Sequence, residues 1–309
     1  MKKLFALVLT LAMVLSLAAC GGGNDAPANT DAPAGTDAAD TGDTEPDYAS
    51  MTIDELKPLL QTVADGKLTV ATSPDFAPYE FYALDEAGNP TLAGFDVALA
   101  AYVADYLGLE VVYTPIDFDG VLMEVQTKSA DLGMAGLSPD PARENIMDFS
   151  DIYYLGGQSF VCLQSNKDQF PDLASTNKAE YQIGAQTGSI QVDLAQENSP
   201  DADIIQLSKV TDIIAELLAG KMDGAYIETA VAESYAQNYP ELFIALDVPY
   251  DVAGSAVGVV KDNPALLAAV NLAIAAAVED GSMDNFVAEA NELASGATAS
   301  LVDGEIVAD

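Results

Sequence analysis

From about residue 66 the chain alternates short apolar runs with longer stretches whose apolar positions recur every three or four residues. The runs predict strands at 68–72, 110–114, 132–137, 182–185, 203–206, 224–227, 242–246 and 256–260, being too short for helices and rich in residues that suit a pleated surface. Helical spacing covers 95–107, 121–128, 190–196, 212–219, 229–238, 264–279 and 283–293, and in the first of these Val97, Ala100, Ala101, Ala104 and Leu107 fall on one side. Strands that alternate with helices imply an α/β fold with a mostly parallel sheet covered on both faces. Roughly 230 residues of such pattern suit two lobes better than one core.

The first twenty residues read differently. Lys2 and Lys3 precede an apolar run from Leu4 to Leu17, which ends in Ala18, Ala19 and Cys20. The run is short for a membrane span and its small-residue end is a cleavage site, so residues 1–19 are expected to be an export signal. The Leu-Ala-Ala-Cys ending resembles the bacterial lipobox, which implies that Cys20 becomes the lipidated first residue. Residues 21–50 hold seven acidic residues, no basic ones and no apolar period. Such a segment buries too little surface to offset its ordering entropy, and 20–50 is expected to be a disordered acidic tether.

Charge and missing residue types narrow the chemistry. Eleven basic residues against 49 acidic ones give a net charge of −38, which argues against nucleic acid and anionic membranes as partners. The chain has no histidine, so Ser-His-Asp and Cys-His catalysis and the usual zinc sites are excluded. No Asp-x-Asp-x-Asp-Gly calcium loop is present either, and no metal or cofactor is expected. With Cys20 acylated, Cys162 has no partner within the chain; its apolar run predicts a packed core thiol.

One stretch carries candidate chemistry. The apolar run 132–137 breaks at Ser138, Pro139, Asp140 and Pro141, and a helix is expected there with Arg143 in its first turns. Backbone N–H groups, the Ser138 hydroxyl, the positive end of that helix and the planar Arg143 fork together suit a carboxylate. The plain alternative is a surface arginine at a helix start.

Several blocks then occur in an order that resembles one known family: 71–81, Gly94 to Val97, Asp117 to Gly120, 135–151, Gln186 to Ser189, Asp223 to Glu228 and Asp280 to Ser282. The chain resembles the family 3 solute-binding proteins, the amino-acid receptors of ABC importers, over about residues 66–294. That likeness implies a two-lobed periplasmic-binding-protein-like fold with two crossover strands, of type II. It implies crossings near 153–157 and 251–255, lobe 1 built from 66–155 and 253–295, lobe 2 from 156–252, and a tail at 296–309.

The same resemblance implies a free, polar amino acid held between the lobes, an ABC transporter permease as partner, a monomer, and a lipid-anchored place on the outer face of the membrane. Arg143 and Ser138 should take the α-carboxylate, with N–H donors from Thr187, Gly188 and Ser189 on the other side. Glu228 should meet the α-ammonium with the Gly136 carbonyl as second acceptor, and Leu137 lies in the same loop. Phe76 and Phe118 should sandwich the ligand's stem. Ser73 stands where many basic-amino-acid binders have Asp, which tilts the expectation toward a neutral side chain, although Asp75 and Glu80 lie nearby. Asp96 is expected to cap a helix. The alternative from another class is a cyclohexadienyl dehydratase-like enzyme on the same fold, which would need a general acid in the cleft; Glu228 and Glu80 are its candidates.

Overall fold

A computed structural model describes residues 46–251, 254–296, 298–302 and 305–308. Cys20, the signal and most of the tether lie outside the described residues, as do Val252 and Ala253. In chain order the elements are α1 (Ile53–Leu56), β1 (Lys67–Thr72), β2 (Asp75–Phe76), β3 (Glu80–Leu84), β4 (Pro90–Ala93), α2 (Phe95–Leu107), β5 (Glu110–Pro115), α3 (Phe118–Gln126), β6 (Leu132–Gly133) and β7 (Met147–Tyr154). Next come β8 (Gln158–Leu163), β9 (Gln182–Gln186), α4 (Ile190–Asn198), β10 (Asp203–Leu207), α5 (Val210–Leu218), β11 (Gly224–Glu228), α6 (Thr229–Asn238) and β12 (Leu242–Asp247). The chain closes with β13 (Ser255–Val260), α7 (Pro264–Glu279), α8 (Ser282–Ala294), β14 (Thr298–Val302) and β15 (Glu305–Ala308).

Two five-stranded sheets define two lobes, ordered β5-β1-β6-β13-β7 and β10-β9-β11-β8-β12. In the first, β5, β1 and β6 are parallel and β13 runs against both β6 and β7. In the second, β10, β9 and β11 are parallel and β8 runs against β11 and β12. The chain leaves the first sheet at Tyr154 to enter the second at Gln158, and returns between Asp247 and Ser255. Two crossings thus join the lobes, as the type II architecture requires.

Apolar burial explains each layer. Helix α2 buries Leu99, Ala100, Val103, Ala104 and Leu107, while Ala101 is exposed. Its inward face is therefore rotated from the expected one. Helix α7 buries Leu266, Ala269, Val270, Ala273 and Ile274; its small alanines admit close packing. The second lobe has an aromatic centre, where Phe160 lies 4.9 Å from Phe170 and 5.2 Å from Tyr226, centroid to centroid. Cys162 belongs to the same core, and burial pushes its thiol up to about 11, so it packs without reacting.

Other expectations change. The run 132–137 is strand only at Leu132–Gly133, because Gly136 adopts φ +56° and turns the chain away. The helix expected around Arg143 is a single 3-10 turn, Pro141–Arg143. Pro139 and Pro141 lack N–H groups, and β7 already begins at Met147, which leaves no length for a helix. The tail forms the β14–β15 hairpin and joins a third sheet, β15-β14-β3-β2, with β4 on the other side of β3. Among the described residues no single helix is long and apolar enough to cross a membrane.

Truncating the aromatic centre tests this packing. Phe160→Ala should destabilise the protein by about 3–5 kcal/mol, read as a lower urea midpoint at unchanged m-value.

Candidate functional site

The cleft between the sheets is built from loop ends, which is where α/β sheets place ligands. Arg143 is 8% exposed and is the only buried basic side chain among the described residues. Asp140 starts its turn by accepting the Ala142 N–H at 2.8 Å. The Arg143 guanidinium donates to the Ser138 carbonyl at 3.4 Å on its own lobe and to the Gly188 carbonyl at 3.0 Å on the other. Its carbon lies 5.7 Å from the centroid of the Phe118 ring, which supplies a cation–π contact in a poorly solvated place. The helix-end charge expected beside Arg143 is missing, because a three-residue turn has almost no dipole. The positive field of this site is the guanidinium itself.

The opposite wall also departs from expectation. Thr187 N–H donates to the Leu207 carbonyl at 2.8 Å and Ser189 N–H to the Gln186 carbonyl at 3.2 Å. The Ser189 hydroxyl is spent on the same Gln186 carbonyl, at 2.7 Å. The loop therefore turns a carbonyl, that of Gly188, toward Arg143, and two of its three expected N–H donors are engaged at home. Gly188 sits at φ +78°, and a Cβ on it would lie 3.4 Å from Asp119 of the facing α3. The space would admit a Cβ, so it is the left-handed φ that favours glycine here.

Other predicted residues fall at or beside the cleft. Phe76 and Phe118 are both nearly buried, and a Cβ on Gly136 would lie 2.7 Å from the Phe76 ring. Among the described rings Phe76 packs tilted against Tyr79, with centroids 5.3 Å apart, and not against Phe118. Leu137 is fully buried and its carbonyl accepts the Ala256 N–H at 2.8 Å, so it is scaffold. Ser73 gives its hydroxyl to Asp75 at 2.8 Å. Glu228 ends β11 and caps α6, accepting Val231 N–H at 2.9 Å and Gly157 N–H at 3.3 Å. Burial pushes its carboxyl up to about 7 against the pull of those bonds. The Glu228 side chain folds back onto the start of its own helix.

Two further carboxyl groups were not predicted in their roles. Asp96 does not cap α2; it accepts the Gly136 N–H at 3.0 Å and the Tyr153 hydroxyl at 2.6 Å. It thereby pins the left-handed loop that carries Gly136 and Ser138. Glu80 is fully buried with neither oxygen in a hydrogen bond of normal geometry, and burial together with the Asp96 charge holds it well above the usual carboxylate range. A neutral Glu80 beside Asp96 is the consistent state. No group of three or more metal-ligating side chains exists among the described residues.

These features define a class: a two-lobed protein with a charged cleft between sheets joined by two crossings. The chain belongs to the bacterial extracellular solute-binding proteins, family 3, whose profile matches residues 68–289. It is 33% identical over 201 residues to the arginine-binding extracellular protein ArtP of Bacillus subtilis, covering 64% of this chain and 75% of that one. It superposes with a TM-score of 0.71 and 32% identity on an amino acid ABC transporter substrate-binding protein, AbpA, of Streptococcus pneumoniae bound to L-arginine, covering 74% of this chain and 96% of that one. A cyclohexadienyl dehydratase of Pseudomonas aeruginosa is 26% identical over 199 residues, covering 64% of this chain and 73% of that enzyme. The chain is accordingly a binding protein of ABC import rather than an enzyme.

The buried carboxyl groups set a pH dependence of stability. Glu228 titrates at about 7 in the folded protein against an ordinary value of 4.5, so the folded form binds the proton first. Its contribution therefore rises as pH falls from about 7 toward 4.5 and is lost as pH rises through 7. Urea midpoints should fall between about pH 5.5 and 7.5, and Glu228→Gln should remove on the order of 1–3 kcal/mol of that difference. An unchanged slope in the variant would contradict the assignment.

Proposed function

We propose that this chain is the lipid-anchored extracellular receptor of an ABC importer and that it closes on one free α-amino acid with a polar side chain. The observation that carries the reading is Arg143, a buried cation that already touches both lobes through the Ser138 and Gly188 carbonyls. A ligand α-carboxylate offers that fork a charged, bidentate partner in place of two neutral carbonyls. Ser138, Gly136 and the 187–189 loop frame this position, Glu228 lies on the second lobe as ammonium acceptor, and Phe76, Phe118 and Ser73 line the side-chain end. The lobes comprise 66–155 with 253–295, and 156–252. Two of the relatives named above, ArtP and AbpA, are described as arginine-binding or arginine-bound, so arginine is the first ligand to test, together with glutamine and the other polar amino acids. The receptor acts as a monomer and hands its ligand to the permease.

The dehydratase relative raises the enzyme alternative. Its chemistry needs a mobile general acid, whereas the Glu228 oxygens are held by Val231 and Gly157. Binding is the simpler use of the site.

A thermal-shift screen of the twenty amino acids, their amides and N-acetyl forms, dipeptides and sugars tests the clamp. One or a few free amino acids should stabilise the protein, with the response abolished in Arg143→Ala. Blocking either end of the ligand should weaken binding roughly ten- to a hundredfold, since hydrogen bonds to buried charges are worth about 1.5–3 kcal/mol each. Equal stabilisation by an amide would refute the carboxylate role of Arg143.

Anchoring is tested in cells. Cys20→Ser should move the protein from the membrane fraction to the medium, and retention of the variant on membranes would refute lipidation at that residue.

A further inference from the structure

We propose that Asp75 is a positioning residue for lobe closure, a carboxylate that sets the open-to-closed balance of the cleft without touching the amino acid. It stands on β2, beside the first sheet, yet most of its hydrogen bonds reach the second lobe. Its Oδ2 accepts the Val210 N–H at 2.6 Å, in the first turn of α5, and the Gln186 amide at 3.2 Å. Its backbone carbonyl accepts the Tyr235 hydroxyl of α6 at 3.2 Å. On its own side the Ser73 hydroxyl donates to Oδ1 at 2.8 Å, and the Asp75 N–H donates to the Ser73 carbonyl at 2.8 Å. With the lobes together the residue is 7% exposed.

This role rests on the reading that the lobes move apart. Separation would strip the Val210, Gln186 and Tyr235 bonds and return the carboxylate to water. Closure then replaces water by neutral donors around a full charge, which is costly even when every lone pair is used. The surrounding charges do not reverse that balance. Burial pushes the Asp75 carboxyl up to about 6 against the pull of the Ser73 and Val210 hydrogen bonds; Asp117 adds to the rise, and Lys209, 3.9 Å from Asp117, opposes it. Glu80 on β3 feels the Asp75 charge, and Asp212 of α5 lines the same groove. The proton is therefore taken up on closing. Ionised Asp75 resists closure, and protonation below about pH 6 progressively relieves the resistance, toward the ordinary aspartate value of 3.8.

The sign of this effect separates a closure residue from a plain structural contact. Small-angle scattering of wild type, Asp75→Asn and Asp75→Ala, without added amino acid, would be recorded from about pH 7.5 to 5. Wild type should contract as pH falls. Asp75→Asn, which keeps an acceptor and drops the charge, should be contracted at the upper end of that range and change less, while Asp75→Ala, which leaves the Val210 N–H and Gln186 amide without their acceptor, should stay expanded at both ends. Titration with L-glutamine adds a second readout: Asp75→Asn should bind roughly tenfold more tightly than wild type at about pH 7.5, and the ratio should narrow as pH falls to about 5. Superposable scattering of wild type and Asp75→Asn across the range, or a ratio of affinities that does not change with pH, would overturn the proposal. Circular dichroism of each variant verifies the fold. Survival of all amino-acid binding in Arg143→Ala would fall on the functional reading alone, and the scattering comparison would still decide the role of Asp75.

Discussion

Arg143 buries a positive charge in a chain that carries a net charge of −38, and the cleft is arranged around that fact. An isolated buried cation is costly, and the protein satisfies this one with two carbonyl dipoles and an aromatic face rather than with a carboxylate. Carbonyls are weak enough partners to leave the guanidinium available to an anion. A direct salt bridge would have quenched the site. Because one of the carbonyls belongs to Gly188, the same interaction that keeps Arg143 soluble in the interior also draws the second lobe toward the first.

The negative groups around it follow a complementary rule. Asp75, Glu80, Asp96 and Glu228 are all buried and all sit above the usual carboxylate range, chiefly because of burial. Three of them are held by backbone N–H groups: Val210 for Asp75, Gly136 for Asp96, Val231 and Gly157 for Glu228. Backbone donors fix a carboxylate in space without neutralising it. Position and charge are thus separately controlled, and a charge left partly uncompensated is what allows a ligand or a proton to shift the balance.

The regular part of this fold was legible in the sequence for a physical reason. Helices such as Phe95–Leu107, Thr229–Asn238 and Pro264–Glu279 carry apolar periods of their own, and their ends match the predicted ones. The candidate site was legible as a set of residues, but less so as geometry. Whether Ser189 N–H faces a ligand or Gln186 depends on a loop conformation that leaves no period in the sequence, and the same holds for the 3-10 turn at Arg143. Short strands such as Asp75–Phe76 exist only because β3 pairs with them. The tail was unreadable for the same reason: Thr298 and Ala299 pair with Ala83 and Tyr82, on the edge of β3 that β2 continues toward Glu80. Pairing across some 215 residues has no local signature.

The connection between the lobes is itself part of the site. β8 is the reversed strand of the second sheet, so the chain that leaves Tyr154 must turn within Leu155, Gly156 and Gly157 before it pairs with β11 at Gln158. That turn presses on the end of β11. A Cβ on Gly156 would lie 2.6 Å from Glu228 Oε1 and 2.9 Å from the Tyr79 hydroxyl, so no larger residue fits without moving the carboxylate. Gly157 donates to Glu228 at 3.3 Å and accepts the Thr229 N–H at 3.0 Å, which ties the crossing to the start of α6. Any rotation of the lobes about this crossing must therefore alter the hydrogen bonds of Glu228, and any change in the charge or partner of Glu228 must be felt at the crossing. The Glu228 carboxylate and the crossing are one mechanical unit because two glycines leave no space between them.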